Sequence, residues 1–593
     1  MPTIASESFK VVVLVVSSYV CDSPADDAQK RVDSATCTGG ESDVEEWDGV
    51  TRVSSPWRKT THPWERPSDR DHRAAGCRGS QYAWPEPSVN DFGLEDGCRP
   101  ECILPANSWF RSGEGIFEIA MDAPSGHSRA AKPTPFMPGR PLTPFEQLML
   151  IDDRPGHPMC FYLECLVDGP LQELLLREAV QTAARRHPLL CSRVGFHRGR
   201  PVWLDADVVP TVVWNPPEQH GNPWRRFDLR RESGVRLVVL SERERHHRVV
   251  MQVHHSVCDG VAACEFAGDI WALYAGIEPR AFSQPRAMRS GQSDETTAAS
   301  PTTKGSQNTA REAWAFARFW PAPLADATTS DIPPAEGDPS ADSSRCDPRS
   351  PPYAWIDFDQ AFTEHLRAMA SADGVSLNDS IIAAVMRAAV AWNARAGRQP
   401  GDVRVTMPVN LRQPGQRGPA QNNLGYAFLD RTAAQCADTT SLTASIATAT
   451  QWILDHNAAD FFLGAIHFLG RWPWLLWLTT RLPLCISTVV VSNIGDPSRR
   501  MRSGVGRADG LDAPGDLVIQ GFLGVPPPRP GTRAAIGVTT YAGRLSLCCL
   551  WSTRREPREG ARQFLDLVRQ ELEGMVATST AISSALPSRR APP

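Results

Sequence analysis

The sequence predicts a mixed α/β protein made of two subdomains. Two observations carry that expectation. Strand-like apolar runs and helix-spaced stretches alternate over residues 137–280, and do so again over 353–580. Between them, residues 281–352 are rich in Ser, Pro, Asp, Thr and Gly and have linker composition. Sites commonly form between two such units.

The elements follow in order. "RPLTPFEQLMLID" (140–152) opens the ordered part, and "FYLECLVDG" (161–169) reads as a strand. "LQELLLREAVQTAARRH" (171–187) has apolar residues at 171, 175, 176, 179, 180, 183 and 184, which is helical spacing, and Pro188 ends it. "VRLVVLSERERHHRVVMQVHH" (235–255) reads as two strands joined by the charged turn Glu242–Arg245. "VAACEFAGDIWALYAG" (261–276) is a helix stopped by Gly276. The linker holds one helix, "REAWAFARFW" (311–320).

The second block starts with strand "YAWIDF" (353–358) and a helix ending at Gly374. "SLNDSIIAAVMRAAVAW" (376–392) is apolar nearly all round, hence a buried helix capped by Ser376 or Asn378. "DVRVTMPVNLR" (402–412) and "STVVVSNIG" (487–495) are strands running into polar residues. "RAAIGVTTYAGRLSLCCLW" (533–551) is a hairpin turning at Ala542-Gly543, and a last helix covers about 557–576. Residues 581–593 read as a disordered tail.

Composition excludes several classes. A net charge of −5 over 593 residues offers no basic field for nucleic acid. Of the 15 cysteines, Cys98 and Cys102 form a CxxxC without a second pair, which is no zinc signature. Most others lie in apolar segments as buried free thiols. Residues 1–136 read as an irregular, disordered extension. "KVVVLVVSSYVC" (10–21) resembles a signal h-region, but Glu7 opposes Lys10 and no cleavage site follows. Initiation at Met121 or Met137 is the alternative; N-terminal sequencing tests it. In the apolar stretch 461–491, Arg471, Pro473, Arg481 and Pro483 interrupt any membrane span. Its Trp472, Trp474 and Trp477 fit a core helix, an acyl-tunnel wall or a membrane interface.

The chemistry concentrates in "MQVHHSVCDGVAAC" (251–264), at a strand-to-helix junction. Adjacent strand residues face opposite sides, so His254 and His255 cannot both serve one site. Asp259 stands at a helix N-cap position, and Gly260 permits close backbone approach. The pair His246-His247 lacks the Asp-Gly and serves as an internal control. No carboxylate or Cys stands at metal-ligand spacing to these histidines.

"HHSVCDG" resembles the HHxxxDG signature of the chloramphenicol acetyltransferase-like superfamily, which includes condensation domains and the wax ester synthase/diacylglycerol acyltransferase family. The similarity is collinear over about 138–578. It takes in "PLTPFEQLMLID", "RRHPLLCSRV", "FDLRRESGVRLVVL", "VSLNDSIIAAV", "MPVNLR" with "NNLGYAF", "VVVSNIG" and "VTTYAGRLSL". The resemblance implies two α/β subdomains in a V with a central tunnel. It implies His255 as general base, His254 as a positioning residue, and Asp259 as a structural residue paired with an arginine, for which Arg412 is the candidate. Gly260 is implied as backbone geometry, Ser492 and Asn493 as oxyanion donors, and Asn378 and Asp379 as residues shaping the acceptor side. Two departures stand out. The segment "PLTPFEQLMLID" carries no arginine where condensation domains usually have one, and Gly495 in "SNIGDP" comes one residue early for the wax ester branch.

The implied activity is transfer of an acyl group from a CoA or carrier-protein thioester to an alcohol. An amide-forming condensation enzyme and a non-catalytic binding relative are the alternatives. No cofactor or metal is implied beyond the thioester co-substrate. The implied partners are the acyl thioester, an alcohol or amine acceptor, a carrier protein and a peripheral membrane contact, with a cytoplasmic location.

Overall fold

A computed structural model describes residues 139–217, 222–283, 321–326, 350–399, 401–482, 484–501, 504–508, 511–552 and 557–585. The expected extension 1–136 and linker helix 311–320 lie outside the described residues.

Two mixed sheets organise the chain. The first has five strands in the order Val518–Val525, Cys160–Asp168, His246–His254, Val235–Arg243 and Thr211–Trp214. Its last pair is parallel and the others antiparallel. Helices Glu173–Arg185 and Gly260–Tyr274 pack on it through the first apolar core, with Leu176, Val180 and Phe266 buried.

The second sheet has six strands in the order Leu424–Arg431, Val403–Asn410, Val489–Gly495, Ala534–Tyr541, Arg544–Trp551 and Tyr353–Asp357. Val489–Gly495 is parallel to both its neighbours. Ala542 and Gly543 both take positive φ at the hairpin turn, as a two-residue loop of primed type requires. Helix Leu377–Arg395 is buried in the second core, as its all-round apolar sequence demands. Ser376 caps it: the side chain accepts from the Asp379 backbone N–H. The final helix runs from Pro557 to Ala585, beyond the expected end near 576 and into the expected 581–593 tail.

The halves are not sequential blocks. Val518–Val525 comes from the second half yet pairs antiparallel with Cys160–Asp168 of the first sheet. The expected subdomain 353–580 therefore lends a strand to 137–280. Where that strand approaches the second sheet there is no room for a side chain. A Cβ at Gly537 would lie 1.7 Å from the Gly524 carbonyl oxygen. Thr539 Oγ1 donates to the Phe522 carbonyl at 3.1 Å across the same junction. The Tyr353 hydroxyl of the second sheet donates to Glu164 of the first, and Glu164 also accepts from Arg248 Nη2 at 3.1 Å.

The apolar stretch 461–491 folds into helices Ala459–Gly470 and Pro473–Arg481. Trp472, Trp474 and Trp477 are exposed, which corrects the core-helix reading. No single helix among the described residues is long and apolar enough to cross a membrane. The described cysteines are free and most are buried; burial pushes the thiols up, Cys165 to about 12 and Cys436 to about 11.

Candidate active site

The strand His246–His254 ends beside Cys160, and the chain then turns through "HSVCD" into helix Gly260–Tyr274. That turn carries the candidate site. Alternation separates the two histidines.

His254 is fully buried, away from the cavity described below. Its Nδ1 accepts from the Ser256 N–H at 3.1 Å. Its Nε2 lies 3.5 Å from Asp153 Oδ2, and Asp153 also accepts from the Met159 N–H at 3.0 Å. His254 thus ties the turn to the segment after the opening helix.

His255 lies on the other side, at the wall of a cavity of about 60 Å³ between the two sheets. Thr406, Pro408, Tyr426 and Ser492 of the second sheet line it, together with Arg529 of a proline-rich loop. The His255 ring stands edge-on to Phe145 at 5.7 Å and to Phe161 at 5.3 Å between centroids. Burial holds the imidazole below the usual histidine range, while its own carbonyl, Asp259 and Asn422 pull it back towards protonation. The ring is therefore neutral near pH 7, as a base must be. Its Nδ1 and the Asn422 Oδ1 are both buried without a hydrogen-bond partner.

The loop around this ring is clamped from the second half. Asn422 Nδ2 donates to the carbonyls of His255 at 2.9 Å and Ser256 at 3.1 Å. Ser256 Oγ donates to the Glu146 carbonyl at 3.1 Å, joining the turn to the opening helix.

Asp259 faces away from the chemistry. Its Oδ1 accepts from the Ala262 N–H at 2.9 Å as a helix N-cap. Its Oδ2 accepts from Arg412 Nη1 at 2.8 Å and from the Asn423 N–H at 2.7 Å. Arg412 Nη2 donates to the Gln421 carbonyl at 2.9 Å. One carboxylate thus pins the start of helix Gly260–Tyr274 to the 410–423 loop.

Other expected site residues separate into groups. Ser492 shares the cavity with His255. Asn493 instead donates from Nδ2 to Asn378 Oδ1 at 3.0 Å, and its own Oδ1 accepts from the Gly495 N–H at 2.8 Å. Asp379 is 4% exposed, and its carboxylate is taken up by Ser376 and by Thr450 Oγ1 at 2.8 Å. It is a helix cap and core tie, not a group presented to an acceptor. Gly260 has no positive φ, and a Cβ there would meet Ile494 at an ordinary 3.8 Å. The backbone does not demand glycine; the missing side chain leaves room in the cavity wall.

Residues passed over in the sequence complete the site. Asn422 and Asn423 stand in "NNLGYAF", where the sequence alone assigns the pair no role. Arg529 donates from Nη2 and Nε to Asp152 Oδ2 at 2.6 and 2.8 Å, and no local pattern marks it. Burial pushes the Tyr426 phenol up to about 12, so it stays a neutral donor. Among the described residues no group of three His, Cys, Asp or Glu side chains is placed to hold a metal ion.

Comparison with solved structures fits this geometry. The first condensation domain of the CDA synthetase superimposes with a TM-score of 0.51 at 16% identity, over 74% of this chain and 96% of that one. The chain has a condensation-domain-like fold. The same domain in complex with a substrate analogue gives 0.50 at 16% identity, over 74% and 95%. The trichothecene 15-O-acetyltransferase of Fusarium sporotrichioides gives 0.51 at 10% identity, over 74% and 94%. No protein-family model matches the chain, and no curated protein matches it.

Proposed function

We propose that this protein transfers an acyl group from a thioester to an alcohol, with His255 as general base. One observation carries the reading: a buried imidazole, held neutral by its surroundings, at the wall of a cavity between two sheets. The acceptor hydroxyl gives its proton to His255 as its oxygen attacks the thioester carbonyl. The tetrahedral oxyanion takes a hydrogen bond from a donor on the facing wall, for which the Ser492 hydroxyl is suited. Collapse breaks the carbon–sulfur bond, and the protonated His255 returns its proton to the departing thiolate. The products are an ester and a free thiol.

The similarity to a condensation domain keeps an amine acceptor and a carrier-bound donor within the reading. The fold's V shape and through-going tunnel, a wax-ester-type or diacylglycerol acceptor, the acyl-CoA donor and the cytoplasmic location belong to this proposal too. Asp259 and Arg412 act by holding the loop. The test is incubation of purified protein with acyl-CoA or acyl-carrier protein and a panel of alcohols and amines, following free thiol and product. Ester supports the reading. Amide reassigns it to condensation. No thiol release from any donor leaves a binding protein.

A further inference from the structure

Around the helices Ala459–Gly470 and Pro473–Arg481 exposed large apolar side chains are gathered in one short stretch. Trp472 is 43% exposed, Trp474 55%, Trp477 44% and Leu478 40%. These are four of the eight exposed large apolar side chains among the described residues, gathered within seven positions. A globular protein scatters such residues singly unless the surface has a use.

The charge pattern narrows the occupant. No Asp or Glu occurs between Asp460 and Asp496, whereas Arg471 and Arg481 flank the tryptophans. The Arg481 guanidinium lies 5.4 Å over the Trp477 ring, and Arg154 donates to the Thr480 carbonyl, adding a third cation at this end. Tryptophan beside arginine, with the one carboxylate of the helix pair, the exposed Asp460, at the opposite end of the first helix, is the composition of a surface seated at the headgroup level of an anionic bilayer. Each helix is too short to span one.

The inner side of the same helices leads towards the site. Ile466 and Leu476 are buried in a cluster with Phe145, Met149 and Tyr426. Phe145 touches His255 edge-on.

We infer that this helix pair docks the protein on an anionic lipid surface, with the tryptophans in the interface and the two arginines at its rim. An apolar substrate dissolved in the bilayer would then reach the cavity along the cluster around Phe145; this last step rests on the proposed function, the docking does not.

The test is co-sedimentation of the full chain with vesicles of phosphatidylcholine alone and of phosphatidylcholine containing phosphatidylglycerol, at low and high salt. Wild type is expected to bind the anionic vesicles on the order of tenfold better, less so at high salt. Trp474→Ser with Trp477→Ser, and separately Arg471→Glu with Arg481→Glu, each loses that preference with an unchanged circular dichroism spectrum. His255→Ala binds like wild type whatever the chemistry of the site. Equal sedimentation with and without vesicles, or folded variants that bind as wild type does, overturns the inference. So does lipid-independent dimerisation that the tryptophan variants abolish, since a second copy would then be the occupant.

Discussion

The strand His246–His254 carries a histidine pair at each end, and the two pairs do different things. At its start, His247 is buried with both ring nitrogens engaged: Nδ1 with Ser241 Oγ at 2.9 Å and Nε2 with the Gly169 carbonyl at 3.2 Å. His246 is exposed beside Asp168. At its end, the buried His254 accepts from the Ser256 N–H through Nδ1 and faces Asp153 with Nε2, while the His255 ring stands at a cavity wall. The dipeptide is the same. What differs is where each ring sits. A histidine turned into the core is a structural tie; one lining a cavity can exchange a proton with whatever enters it.

Substitutions at five positions break or sharpen that comparison. The largest effect is expected at His255→Ala, which lowers the rate of thiol release roughly 10²–10⁴-fold, whereas His247→Ala leaves it within a few-fold; steady-state assays of both variants decide this. Next is Arg412→Ala, which strands the 2%-exposed Asp259 carboxylate. It is expected to cost about 3–5 kcal/mol of stability in urea unfolding, and to lower kcat by loosening the turn. Gly537→Ala forces a methyl group onto the Gly524 carbonyl and is expected to cost about 1–3 kcal/mol or more; Gly260→Ala, whose Cβ would make only an ordinary contact with Ile494, costs less than about 1 kcal/mol by the same measurement.

The smallest effect is the pH dependence of stability. Burial lowers the pKa of both His247 and His255 below 6.5. The unfolded chain therefore takes up protons before the folded one as the pH falls. Their contribution is fully present above about pH 6.5 and declines below it, towards the folded values. Replacing His247 with Gln is expected to flatten that decline in a melting-temperature series.

Local patterns showed most of the fold because most of it is locally written. The apolar spacing of 171–184 gave a helix at Glu173–Arg185, and the Ala542-Gly543 turn gave a hairpin. Strand alternation alone puts His254 and His255 on opposite sides. The crossing of Val518–Val525 was not legible. Its partner lies some 350 residues earlier, and nothing in eight residues states which sheet edge they will join. The clamp by Asn422 and Asn423 was hidden for a related reason: short polar side chains acquire partners only when the 410–423 loop meets the HHSVCDG turn. Asp379 misled because a capping box and an acceptor-side carboxylate look alike in sequence. The tryptophans of 472–477 left three readings open, since apolar composition alone does not say which side of a helix finds a neighbour.

The central claim is that one buried, neutral imidazole performs the proton transfer. It is tested most directly by measuring free-thiol release from an acyl thioester and an alcohol against pH, for wild type and His255→Ala in parallel. The account predicts a wild-type acid limb below pH 6.5, set by the depressed pKa of His255. It also predicts a variant slower by roughly two orders of magnitude or more that lacks this limb. A variant that keeps the wild-type rate and the same acid limb would contradict it.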